Sequence, residues 1–190
     1  MNKESNNSSH RKKIYIAIIA LVAVISLISS TLGMLVAYPT QAHRDVIRQF
    51  NEINANAGAG DMKALTESQE YKRLQDSPEM RYSMMIGFVL MIIELMITFT
   101  VVGVIYHYLR RNRLTNSAAG VTTWLYVFGG FIATLIMGYV DSMYVMKRSP
   151  QPIELITLVL ATFTVGLGIT YLIARFFKWN YDRKHSFVVE

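Results

Sequence analysis

Glu94 stands near the middle of "MMIGFVLMIIELMITFTVVG", residues 84–103, a stretch otherwise built from apolar residues, glycine and threonine. Counted from Ser83, it lies about 16 Å along a helix axis, close to half the depth of a bilayer's hydrocarbon layer. Ser26, Thr134 and Thr164 fall at similar depth in the other apolar stretches, and no basic residue does. The nearest histidine, His107, is about 20 Å further along the same helix. A carboxyl group so placed must be protonated, or be neutralised by something that arrives. Two kinds of chemistry follow. A protonated Glu94 can hydrogen-bond Ser26, Thr134 or Thr164 and fix the register of packed helices. Alternatively it can bind protons or a cationic substrate in alternation, with water reaching it from one side at a time. The structural role is preferred, because no second acid, interrupted helix or internal repeat accompanies Glu94.

Asp141 is a second acid set within an apolar stretch, about 7 Å inside its boundary. Arg148 follows two turns later on the same helical face, so the spacing predicts an interfacial ion pair between Asp141 and Arg148 rather than a substrate site. Enzymatic chemistry finds no footing. Cysteine is absent and the four histidines, His10, His43, His107 and His185, are scattered with no H-x-x-x-H spacing. There is no glycine-rich phosphate loop and no G-x-S-x-G elbow. The sequence therefore predicts a non-enzyme with no cofactor and no metal site.

The elements that position these acids are set by composition. Of 190 residues, 52% are hydrophobic and 17% charged. The apolar residues are gathered into four blocks, 14–38, 83–109, 121–146 and 153–177, each longer than the ~20 residues that cross a ~30 Å hydrocarbon layer. The fold class expected is an all-α membrane protein: a four-transmembrane-helix bundle. The first block follows "RKK" but exceeds the roughly 7–15 apolar residues of a cleavable leader, so it reads as an uncleaved anchor. The polar opening, 1–13, reads as a disordered tail.

Cations gather where one side of the membrane would lie. Lys3, Arg11, Lys12 and Lys13 precede the first span, Arg110, Arg111 and Arg113 occupy the link 110–120, and Arg175, Lys178, Arg183 and Lys184 mark the end of the fourth span and the tail 178–190. The loop 39–82 has no positive excess. The asymmetry predicts a cell-membrane protein with both termini cytoplasmic, and the short link 147–152 outside despite Lys147 and Arg148. The net charge of +6 flanks the spans instead of forming a stripe with stacking aromatics, so the lipid bilayer, not nucleic acid, is the expected partner.

Between the first two spans a small extracytoplasmic helical hairpin is expected. Pro39 interrupts the first helix, Thr40 can cap the next, and Val46, Ile47, Phe50 and Ile53 share one helical face. "AGAG" breaks that helix, Asp61 can cap "MKALTESQEYKRLQ", and Ser77-Pro78-Glu79 reads as the start of the second span. The hairpin is too short to bury a core of its own, so its apolar face must rest on the bundle end or serve as a partner surface. Within the bundle, small residues allow close helix approach. They form the stripes Ser29/Gly33/Ala37, Gly130/Thr134/Gly138/Ser142 and Thr162/Gly166/Thr170/Ala174, which predict that spans three and four form a tight antiparallel pair, with Gly130, Gly138 and Gly166 at the contact. Intramolecular packing is preferred over a homo-oligomer seam. The expected function is a non-catalytic assembly, scaffold or partner-binding component whose hairpin contacts another membrane or extracytoplasmic protein. The alternative is a small proton- or cation-coupled transporter that uses Glu94.

Overall fold

The structure is a computed structural model that describes residues 2–56 and 66–186, with side chains placed for 9–54 and 66–183. Its elements are α1 (Asn2–Ala37), α2 (Gln41–Asn56), α3 (Gln69–Gln75), α4 (Pro78–Arg111), α5 (Ala118–Asp141), a π turn (Ser142–Met146) and α6 (Pro152–Ser186). No strand occurs among the described residues. The chain is an all-α membrane protein: four helices, Ser9–Ala37, Pro78–Arg111, Ala118–Met146 and Pro152–Arg183, are long and apolar enough to cross a bilayer.

Helix limits follow local chemistry. Pro39 follows the end of α1, and the Thr40 hydroxyl accepts from the His43 amide at 3.4 Å to begin α2. Ser68 caps α3 by accepting from the Tyr71 amide at 3.2 Å. Ser77 does the same for α4 through the Met80 amide at 3.3 Å, with Pro78 at the first helical position, where its missing N–H costs nothing. The expected cap at Asp61 lies outside the described residues. At the other end of the chain's first helix the expectation is corrected. α1 begins at Asn2, so the segment 2–13 is helical rather than disordered. A long apolar helix supplies the nucleus, and extending it through Ser, Asn and Lys costs only about a few tenths of a kcal/mol per residue. α6 likewise continues past its apolar run to Ser186.

α5 is the central helix. It packs along α1 on one side and α6 on the other, while α4 closes the bundle against both. The close α5–α6 pairing expected from the short link is present, but the α1–α5 contact is equally extensive. The tightest packing lies at the end of the bundle near the chain termini, where Val22, Ile105, Tyr106, Leu109, Leu114 and Leu125 form one buried cluster. Tyr15 joins α1 to the α4–α5 link there, its hydroxyl donating to the Leu114 carbonyl at 3.1 Å. Outward-facing side chains such as Leu21, Ile28 and Leu32 of α1 and Met85, Phe88 and Met96 of α4 form an apolar wall for acyl chains.

At the opposite end sits the hairpin. α2 packs on α3, on the start of α4 and on the π turn. Arg44 is the clamp: its Nη1 donates to the Tyr38 carbonyl at 3.1 Å and to the Tyr144 hydroxyl at 2.8 Å. Its guanidinium also lies 4.6 Å from the centre of the Tyr144 ring.

Candidate functional site

Glu94 is placed by the register between α1 and α4. These antiparallel helices meet along the small stripe of α1. Ser83 Oγ donates to the Ala37 carbonyl at 3.0 Å, and Gly33 backs onto Leu90, whose Cδ1 would lie 3.7 Å from a Cβ at that position. One turn further, Ser29 Oγ donates to Glu94 Oε1 at 2.5 Å. The acid thus has a hydroxyl partner on a neighbouring helix, as a register-fixing role requires, but the partner is Ser29. Ser26, the serine expected from depth alone, lies almost a turn beyond the contact. Thr164 is exposed and returns its hydroxyl to the Leu160 carbonyl at 2.8 Å. Thr134 faces a groove on the hairpin side. Depth counting fails here because it fixes height and not rotation: helices 3.6 residues per turn present a given depth on only one face. The signal that identifies Ser29 is its membership of the Ser29/Gly33/Ala37 stripe.

Tyr126 of α5 extends the polar contact. Its hydroxyl shares a 2.8 Å hydrogen bond with Thr98, one turn along α4 from Glu94. Two separate side-chain hydrogen bonds, one from α1 to α4 and one from α4 to α5, therefore lie a turn apart in the middle of the bundle and add to the van der Waals packing of the helices.

The hairpin half of the bundle is less tightly filled. A groove of about 460 Å³ runs between the helices, with Tyr38, Asp141 and Glu154 near the hairpin and Leu90 and Thr134 at its deep end. Asp141 forms no hydrogen bond or ion pair with any described residue. The expected Asp141–Arg148 pair is absent, and this corrects the sequence reading. Arg148 instead makes a two-pronged contact with Glu154 at the start of α6, Nη1 to Oε2 at 3.1 Å and Nη2 to Oε1 at 2.5 Å. Glu154 also accepts from the Gln151 amide at 2.9 Å. The cause is backbone geometry. The π turn is wider than an α turn, and Lys147 leaves it in the left-handed region at φ 54°, so Arg148 is swung away from the face that carries Asp141. Lys147 itself reaches Asp45 of α2 at 3.8 Å.

The small residues also divide in an order the stripes did not give. Gly138 is a contact glycine, since a Cβ there would meet Leu158 Cδ2 at 2.9 Å and Leu155 Cδ2 at 3.0 Å. Gly130 and Gly166 are not: a Cβ at either meets nothing within 4 Å. Both line a gap of about 80 Å³ between α5 and α6, bordered by Tyr126 and Phe163. The bulk of those rings holds the helices apart there. The closest approach of α5 is to α1, at Gly129, where a Cβ would lie 2.6 Å from Val22 and 2.8 Å from the Ile19 carbonyl oxygen.

The face Val46, Ile47, Phe50 and Ile53 is half-buried within the hairpin. Phe50 lies against Tyr71, ring centres 5.1 Å apart, so this face is in large part covered by the chain's own second hairpin helix and the bundle end. The side chains of α2 that stay exposed are polar, Gln49, Asn51 and Glu52 among them. Among the described residues no group of three or more His, Asp or Glu side chains is placed to hold a metal ion.

These features define a multi-pass membrane protein with four membrane-spanning helices and a clamped helical hairpin between the first two. No protein-family model matches the chain, and neither a curated protein nor a solved structure is detectably similar to it.

Proposed function

We propose that this chain is a non-catalytic, partner-binding component of the cell membrane, with both termini cytoplasmic and the hairpin outside. The orientation rests on the concentration of Arg and Lys at the terminal end of the bundle. The functional reading rests chiefly on the Ser29–Glu94 bond: the half-depth acid is engaged in holding two helices together, and the groove does not include it among its walls. The hairpin, fixed by Arg44, offers a rigid polar face around Gln49 and Glu52 to a membrane or extracytoplasmic protein. A second copy of the chain is the alternative occupant.

The test is purification of the full chain in mild detergent. A stoichiometric partner, or a homo-oligomer, is expected to be retained and to be lost on Gln49→Arg together with Glu52→Arg. Those positions are exposed, and the contact replaced is the 3.8 Å Arg48–Glu52 pair on the surface of α2, so hydrogen exchange of the α2 amides is measured alongside to show that the hairpin stays folded. A monomer without a stoichiometric partner, in native membranes as well as detergent, overturns the reading.

One observation favours a second reading, a small proton- or cation-coupled transporter. The groove leads from the unpaired Asp141 to Leu90, one helical turn short of Glu94. A cation passing Asp141 would need only a local rearrangement of α1 against α4 to reach Glu94. Flux of protons or a monovalent cation into liposomes carrying the protein, abolished by Asp141→Asn and Glu94→Gln, supports this reading, and an impermeable wild-type protein rejects it.

A further inference from the structure

At the end of the bundle opposite the hairpin, a second cavity of about 180 Å³ lies between the α4–α5 link, the last turns of α4 and the far part of α6. Three cations line it, Arg110, Arg175 and Lys178, against one carboxylate, Asp182. None of the three forms an ion pair with a described residue. Arg110 and Arg175 rest instead beside aromatic faces, 5.0 Å from the Tyr181 ring centre and 5.8 Å from that of Tyr171. Tyr106 forms part of the wall. It is only 2% exposed, yet its hydroxyl has no hydrogen-bond partner among the described residues. That hydroxyl is not sealed from water, so it is open to an acceptor that enters the cavity. The same wall contains Ser117, Ala118, Ala119 and Gly120, the first turn of α5, which has no side-chain cap. Its amide donors have no acceptor within the helix.

Every one of these groups except Asp182 is a donor or a positive charge. The lining therefore suits an acceptor-rich anion with more than one oxygen, and the planar fork of arginine matches phosphate oxygens in particular. We infer that this cavity binds a phosphate group, held by Arg110, Arg175 and Lys178 and by a hydrogen bond from the Tyr106 hydroxyl. The site lies where α4 and α6 pass from apolar to basic sequence. The phosphate is therefore that of an anionic phospholipid headgroup or a free phosphate from the adjoining water, and the chemistry of recognition is the same for both.

The experiment uses the full chain, purified in neutral detergent and delipidated. Native mass spectrometry reads retention of added phosphatidylglycerol against phosphatidylcholine, and calorimetry reads binding of inorganic phosphate. Wild type is expected to retain phosphatidylglycerol at least about tenfold better than phosphatidylcholine; binding of inorganic phosphate with no lipid preference supports the site with free phosphate as its occupant. Tyr106→Phe keeps the ring and removes only the donor, and should weaken binding about five- to tenfold. Asn116→Asp adds a negative charge at the exposed rim and should weaken it as well, without disturbing a buried contact. Lys12→Gln with Lys13→Gln removes basic residues outside the cavity and should leave binding unchanged. The inference is overturned if Tyr106→Phe and Asn116→Asp bind as wild type does, if the Lys12/Lys13 variant loses as much as they do, or if neither phosphatidylglycerol nor inorganic phosphate binds.

Discussion

Ser29 Oγ donates to Glu94 Oε1 across the α1–α4 contact at 2.5 Å, one turn from where Gly33 backs onto Leu90. A hydrogen bond of this kind inside a membrane bundle contributes about 0.6 kcal/mol on average and up to about 1.7, because the separated helices also find partners. Glu94→Gln retains the accepting oxygen and is expected to unfold within about 0.5 kcal/mol of wild type, whereas Glu94→Leu and Ser29→Ala should each lose about 1 kcal/mol. The two losses should not add, since they remove the same bond. A double-mutant cycle in thermal or denaturant unfolding in micelles measures this coupling, and strict additivity would show that the two side chains act separately.

Glycines 129 and 130 are neighbours in sequence with opposite surroundings. A Cβ at Gly129 would strike Val22 and the Ile19 carbonyl oxygen, a backbone atom that cannot step aside. Gly129→Ala should force α1 from α5 and cost about 1–3 kcal/mol, the usual range for overpacking. Gly130→Ala meets open space and should be neutral or slightly stabilising, as alanine is the better helix former by about 1 kcal/mol. Unfolding of the two single variants side by side provides the comparison, with equal destabilisation as the contrary result.

What the sequence makes legible is whatever depends on type and spacing along one helix. Four long apolar blocks become four helices, Ser77-Pro78 becomes the start of α4, and Pro39-Thr40 becomes the break before α2, because each signal acts within a few residues of itself. What it leaves hidden depends on how one helix is rotated against another. Ser26 and Ser29 are equally plausible partners for Glu94 until Gly33 is set against Leu90. Gly129 has one small partner at an interval of four, Ala133, and this two-member pattern is overshadowed in the sequence by the longer Gly130/Thr134/Gly138/Ser142 stripe beside it. Counting α turns through residues 142–146 pairs Arg148 with Asp141, but those residues form a π turn. The change of phase that this turn and the left-handed Lys147 produce has no simple sequence mark. The α4–α5 link gave no hint that Tyr106 would share a cavity wall with Arg175, residues far apart in sequence and on different helices.

Arg44 joins the hairpin to the bundle by contacts with Tyr38 and Tyr144. A short hairpin has little apolar area of its own, so it depends on such contacts to stay docked. Arg44→Ala should leave the four spanning helices intact and loosen α2. Hydrogen exchange of the α2 amides should then rise at least about tenfold, as expected for loss of roughly 1.4 kcal/mol from a local opening equilibrium. Amides of α5 should not change, and an unaltered α2 would mean that contacts of Val46, Ile47 and Phe50 suffice to hold it.

Gly87 offers a way to close the groove without breaking the bundle. It lines the same groove as Asp141, and a Cβ added there meets nothing within 4 Å. Gly87→Leu should therefore place an apolar side chain in the groove and, by improving both helix propensity and packing, keep or raise stability. A proton or cation path that entered past Asp141 would be obstructed by it, so liposome flux should fall while the folded fraction stays constant. The Ser29–Glu94 bond lies beyond the groove's deep end and should be untouched, which an unchanged double-mutant cycle in the Gly87→Leu background would show. If flux in wild type is present and Gly87→Leu leaves it at the same rate, ions do not travel through this groove, and the unpaired carboxylate of Asp141 must be accounted for without them.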